Sequence, residues 1–150
     1  MPQQQFAEQE RRLAAELSAK FLGTASVKID LLDFPFKKRR EEDEKNIERL
    51  QRLFRKQKSC RAWEVFNHIP AVIEQGELSD ALARSGISPE ALLEARDGHL
   101  ELDFPAGFRL SCLRGQHRAF AAQNVLLVGS RRWTVDLYLS GKVVLLHLYR

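Results

Sequence analysis

The stretch Phe108-Arg109-Leu110-Ser111-Cys112-Leu113-Arg114-Gly115-Gln116-His117-Arg118-Ala119-Phe120-Ala121-Ala122 reads as a strand up to one glycine and as a helix after it. Apolar and polar residues alternate through 108–113, the period of a half-buried strand. The alanine-rich run from Gln116 to about Leu127 suits a helix. A glycine between the two lets backbone N–H groups approach a ligand closely. The new helix N-terminus adds partial positive charge. Arg114, His117 and Arg118 add more. This corner is built for an anion, and phosphate is the anion it suggests.

Working outward, Arg131–Leu139 reads as a strand, and Ser140-Gly141 as a hairpin turn into a last strand, Lys142–Leu148. Residues 5–22 read as an N-terminal helix with Phe6, Leu13, Leu17, Phe21 and Leu22 on its apolar side and Gly23 as its stop. Val27–Leu32 reads as the first strand, ended by Pro35. A basic run, Lys37–Arg40, precedes a helix capped by Asp43 and running to Gln57. Ile47, Leu50, Leu53 and Phe54 form its expected buried stripe, while Lys45, Arg49, Arg52 and Lys56 line another face. Asn67–Ile73 reads as a polar turn entering a buried strand. Residues 76–106 are acidic, with short helical patterns at Ser79–Ala83 and after Ser88-Pro89, where serine caps and proline takes the first turn. This segment is expected as an insertion packed on the edge of the main fold. The reading is one α+β domain over 1–150, a small mixed sheet with flanking helices.

The 150 residues carry a net charge of +4, unevenly distributed. Residues 37–61 sum to +6, residues 74–104 to −6, and residues 109–135 hold five arginines and no acid. A fold joining the two basic stretches would present a positive face to phosphates or nucleic acid. No apolar run reaches the roughly 18 residues needed to span a membrane. The polar start Met1–Gln5 has no secretory core, and Cys60 and Cys112 form no disulfide framework. The expected setting is intracellular with reduced thiols, and nuclear if the role concerns DNA.

The order of strand, basic run, amphipathic helix, Asn67–Ile73, strand, Gly-x-x-Arg helix and strand resembles the ParB/sulfiredoxin-like superfamily over roughly residues 26–139. ParB proteins carry Gly-Glu-Arg-Arg at the corner and sulfiredoxins Gly-Cys-His-Arg; here it is Gly115-Gln116-His117-Arg118. With Arg61 and Arg132–Tyr138, the wording is most similar to a fungal ParB-like family associated with mobile elements. The resemblance implies a nucleotide pocket, holding CTP in ParB and ATP or ADP in other branches, with Mg²⁺. It implies phosphate or nucleotide contacts for Arg39, Arg40, Asn46, Arg49, Gly115, Gln116, His117 and Arg118. Gln116 replaces the sulfiredoxin nucleophile and has no thiolate, so sulfinic reductase chemistry is excluded. It also replaces the ParB glutamate, and no helix-turn-helix pattern follows the corner. Any contact with nucleic acid is therefore expected to be with phosphates and strongly salt-dependent.

Three functional classes suit this corner. One is a nucleotide- or phosphate-binding module in a DNA-related process. Another is a metal-dependent nucleotidase, kinase or nuclease, with Glu41–Glu44 as the nearest acids. The last is a non-enzymatic DNA- or protein-binding domain. Cys112, Phe120, Trp133 and Tyr138 are expected in the core. The four histidines lack metal-ligand spacing, so no zinc site is expected. His68 is a candidate polar pair with Asn67 or a backbone-bonding loop residue. Arg132 is a candidate for the cationic face. Asp136 is expected as a salt-bridge partner, with Mg²⁺ coordination as the alternative.

Overall fold

The computed structural model describes residues 2–35, 41–57, 67–126 and 131–141, with the side chains of Pro2, Gln3, Phe6, Leu13 and Glu41–Asp43 excepted. Arg39, Arg40, Cys60, Arg61 and the strand expected at Lys142–Leu148 lie outside the described residues. Helix α1 spans Pro2–Lys20, strand β1 Phe21–Lys28, a 3₁₀ turn Ile29–Leu31, and β2 Leu32–Asp33. There follow α2 (Glu41–Gln57), β3 (Ile69–Ile73), α3 (Gln75–Ser85), α4 (Pro89–Glu94), β4 (Leu110–Cys112), α5 (Gln116–Val125) and β5 (Arg132–Leu139). The fold is α+β, with a five-stranded mixed sheet in the order β1-β5-β3-β4-β2. Among the described residues, no helix is long and apolar enough to cross a membrane.

Strand β5 is the spine of the sheet. β5 pairs antiparallel with β1 and parallel with β3, so the chain's most distant segments meet beside its centre. Its alternation sends Trp133, Val135 and Leu137 to one face, all buried. There Trp133 meets Phe54 of α2, and its indole N–H donates to the Asn67 carbonyl at 2.7 Å. Leu50 and Phe54 of α2 join Ala119, Ala121 and Ala122 of α5 in the same core. The alanines let α2 lie along α5. Burying one large apolar side chain contributes about 1.5–3 kcal/mol, so this layer is the main cohesive element.

The other face is covered by the acidic segment. Ser88 caps α4 by accepting from the Ala91 N–H, with Pro89 in the first turn. Leu92 and Leu102 are buried in the common core. Backbone bonds from Ser26 N–H to the Leu100 carbonyl and from Leu102 N–H to the Ser26 carbonyl stitch the segment to edge strand β1. The first helical pattern is longer than its apolar residues suggest. It begins at Gln75 because the Glu74 side chain and Glu77 form a capping box.

Several boundaries differ from the sequence reading. Gly23 does not stop α1; it lies inside β1, at an irregularity between Phe21 and Gly23. Phe21 and Leu22 therefore begin a strand instead of ending a helix. Val27–Leu32 is not one strand, because the 3₁₀ turn interrupts it. Asp43 lies within the first turn of α2 instead of preceding it. Leu53 is 37% exposed, while Leu50 and Phe54 are buried and Ile47 packs against the core beside them.

Gly23 has φ +142°, and a Cβ on it would stand 2.5 Å from the Leu92 carbonyl oxygen. Backbone cannot swing away as a side chain can. Gly23→Ala is therefore expected to destabilise the protein by about 2–4 kcal/mol, read as a urea midpoint shift. Gly76→Ala, with nothing within 4 Å, is the matched control and should leave the midpoint unchanged or raised.

Candidate functional site

Gly115 caps α5 with φ +94° and ψ +10°, a left-handed conformation. A Cβ there would lie 2.7 Å from Ile69 Cγ1 of β3. Only glycine satisfies both demands, so the chain turns from β4 into α5 directly against the sheet. Gly115 supplies no side-chain cap, and the opening N–H groups of α5, like those of any helix, have no partner within the helix.

A cleft of about 420 Å³ opens there. Asn46, Arg49, Gly115, Gln116, His117 and Arg118, six of the residues singled out in the sequence, all line it. Arg39 and Arg40 lie outside the described residues. The resemblance did not mark the apolar wall of Phe34, Leu50, Cys112 and Leu113, nor Arg114 as a lining residue. Arg114 was legible as a cation beside the glycine. Phe34 carried no signal, because its place depends on β2 pairing with β4.

The polar side chains are organised. Arg49 donates through Nε and Nη2 to Asn46 Oδ1, at 3.2 and 2.9 Å. Arginine only donates, so the Asn46 amide is oriented, and its Nδ2 donates to His117 Nδ1 at 3.1 Å. An accepting Nδ1 places the ring proton of His117 on Nε2. Gln116 Oε1 is buried and receives no hydrogen bond from a described residue.

Arg49, Arg114 and Arg118 bring three guanidiniums to one cleft, and no described carboxylate lines it. Among the described residues none of the three forms an ion pair. The two basic stretches thus meet here, Arg49 from α2 and the others from the corner. The broader positive face is smaller than the sequence suggests. Arg109 donates to the Asp30 and Leu32 carbonyls, Arg131 to Leu126, and Arg132 to Ser26. Arg132 is therefore committed to β1 and does not join the cleft.

Burial pushes the Cys112 thiol up to about 12, and Sγ donates weakly to the Leu110 carbonyl. Asp136 does not line the cleft. It accepts from Thr24 Oγ1 at 2.8 Å and from His68 Nδ1 at 3.0 Å, so its partner is a histidine and not an arginine. His68 thus bonds a side chain across the sheet. Tyr138 is half-buried and belongs to that opposite face rather than the core. No three His, Cys, Asp or Glu side chains converge on a metal-sized site among the described residues. Glu44 is exposed on α2; the side chains of Glu41, Glu42 and Asp43 lie outside the description.

The chain matches the family model described as the N-terminal domain of the protein of unknown function DUF3723 over residues 20–146, and it belongs to that family. No curated protein and no solved structure matches it.

With a thiol that stays protonated at neutral pH, Cys112 should resist alkylation in the folded protein. Iodoacetamide at pH 7.5 followed by peptide mapping should label Cys112 only after unfolding. Rapid labelling in the native state would contradict the assignment.

Proposed function

We propose that the cleft binds the phosphates of a nucleoside di- or triphosphate, as a ParB/sulfiredoxin-like nucleotide module acting in a DNA-related process. The observation that carries this reading is the convergence of Arg49, Arg114 and Arg118 on the N-terminus of α5 with no described carboxylate among the lining residues. Arginine forks match phosphate oxygens in pairs, and the backbone N–H groups that open a helix supply further donors. Phe34 and Leu50 give the same cleft an apolar wall suited to a base or ribose. In this reading Asn46 holds Arg49 and His117 in place, and Arg118 neutralises phosphate directly.

CTP and ATP are the candidate nucleotides. The described residues suit their phosphates better than a protein-held Mg²⁺. Among the described lining residues the side-chain oxygens are the amide oxygens of Gln116 and Asn46, the latter taken by Arg49, and no carboxylate is present, so Mg²⁺ would enter carried on the phosphates. As an enzyme, the site would transfer or hydrolyse a phosphoryl group by positioning and charge neutralisation, with His117 the one lining imidazole. Cysteine chemistry has no place in it, since Gln116 stands at the nucleophile position and Cys112 is held protonated.

A second reading rests on α2, where the exposed Lys45, Arg52 and Lys56 lie in one row with Arg49. That row suits a nucleic-acid backbone, with affinity falling steeply as salt rises.

The test is a thermal-shift panel of CTP, ATP, GTP, UTP and ADP with and without Mg²⁺. Occupancy at 100 times Kd adds about 2.7 kcal/mol to native stability. One nucleotide is expected to raise Tm, and Arg118→Ala to weaken its binding by about ten- to a hundredfold. No shift with any nucleotide, or an unchanged affinity in Arg118→Ala, would overturn the reading.

A further inference from the structure

A second cavity, of about 660 Å³, lies on the opposite face of the sheet. A local irregularity in β1 creates it. Phe21 and Thr24 are three residues apart, so strict alternation would place them on opposite faces. The bulge before Gly23 returns both to one face, where Phe21 pairs with Tyr138 and Thr24 with Asp136. Bulges re-aim side chains in this way beside functional sites. Gly23 has a second role here, because it admits the Leu92 backbone and so brings α4 over the cavity with Leu93 at its rim. Leu17 and Ala19 of α1 close the other wall.

The floor carries a prepared carboxylate. Thr24 and His68 both donate to Asp136 Oδ1, and Oδ2 receives no hydrogen bond from a described residue. A carboxylate only accepts, so the His68 proton sits on Nδ1. The His68 side chain is 4% exposed and that of Asp136 25%, so the acid is fixed from behind yet open to the cavity. At the rim, the exposed guanidinium of Arg96 sits 5.4 Å from the centre of the Phe21 ring. That ring lies 5.4 Å from Tyr138, whose phenol is pushed up by burial and then by the Asp136 charge, with the Arg114 charge opposing both. A rim cation, an apolar and aromatic wall, and a floor anion thus follow one another across a single cavity.

We propose that this cavity binds a small zwitterion with an apolar body, an amino acid such as phenylalanine or leucine. Asp136 Oδ2 and the Tyr138 hydroxyl receive its ammonium group, Arg96 its carboxylate, and Leu17, Phe21 and Leu93 its side chain. A simple anion would face the floor carboxylate, and a simple cation would face Arg96; a zwitterion satisfies both. The volume falls within the range of small-ligand pockets. The site is separate from the phosphate cleft and does not depend on its reading.

The test is calorimetric titration of the full chain with L-phenylalanine, N-acetyl-L-phenylalanine and L-phenylalanine amide. The free amino acid is expected to bind, and each derivative, lacking one charge, to bind about tenfold more weakly or worse. Arg96→Ala, a change at an exposed residue, should bring the free amino acid down to the affinity of the amide. Asp136→Asn, which keeps an acceptor for Thr24 and His68, should bring it down to that of the N-acetyl form. Absence of binding by the free amino acid, or equal binding of all three compounds, would overturn the proposal. So would an affinity unchanged in both variants.

Discussion

The contact between Gly115 and Ile69 governs the cleft side of this molecule. A glycine with positive φ, whose Cβ would stand only 2.7 Å from Ile69 of β3, lets β4 turn sharply into α5. That turn places the α5 N-terminus on the wall of the cleft. It also sets α5 where α2 can pack on its alanines, which brings Asn46 and Arg49 to the corner. The cleft is therefore a consequence of backbone geometry. Its charge comes from residues that the geometry leaves without acidic neighbours.

The sheet separates two chemistries. Odd-numbered residues of β5 seal the core beneath α2 and α5, while Asp136 and Tyr138 face a second cavity beneath α1 and α4. One side is wholly cationic among its described charges; the other carries an acid and a base. The same strand holds both apart, since its pairing with β1 and β3 fixes which residues face each side. A shift of one residue would exchange the two faces and bury Asp136 under α2.

Much of this was legible where local chemistry decides. The Gly115 corner is readable because few residue patterns place glycine and two cations between a strand and an alanine-rich helix. Ser88-Pro89 is readable because capping is local. The coarse α+β class follows from the mixture of periods. The bulge at Gly23 was not legible, because a glycine after a helical pattern looks the same as a helix stop. Its true reason is the Leu92 backbone, nearly 70 positions away in the chain. The pairing of His68 with Asp136 was hidden for the same cause: it exists only because β3 and β5 run parallel side by side. The reduced positive face reflects a further limit. Composition counts arginines, whereas the fold ties Arg109, Arg131 and Arg132 to backbone carbonyls.

The phosphate cradle proposed at Gly115 joins backbone donors and arginines. The most direct measurement is an amide NMR titration of the protein with inorganic tripolyphosphate, which carries the charge of a nucleotide without its base. Saturable shifts centred on the Gln116, His117 and Arg118 amides, with the Arg49 side-chain signal moving in step, are the result expected. Shifts that fail to saturate, or that spread over the exposed cations of α2 while the Gln116–Arg118 amides stay still, would contradict the account.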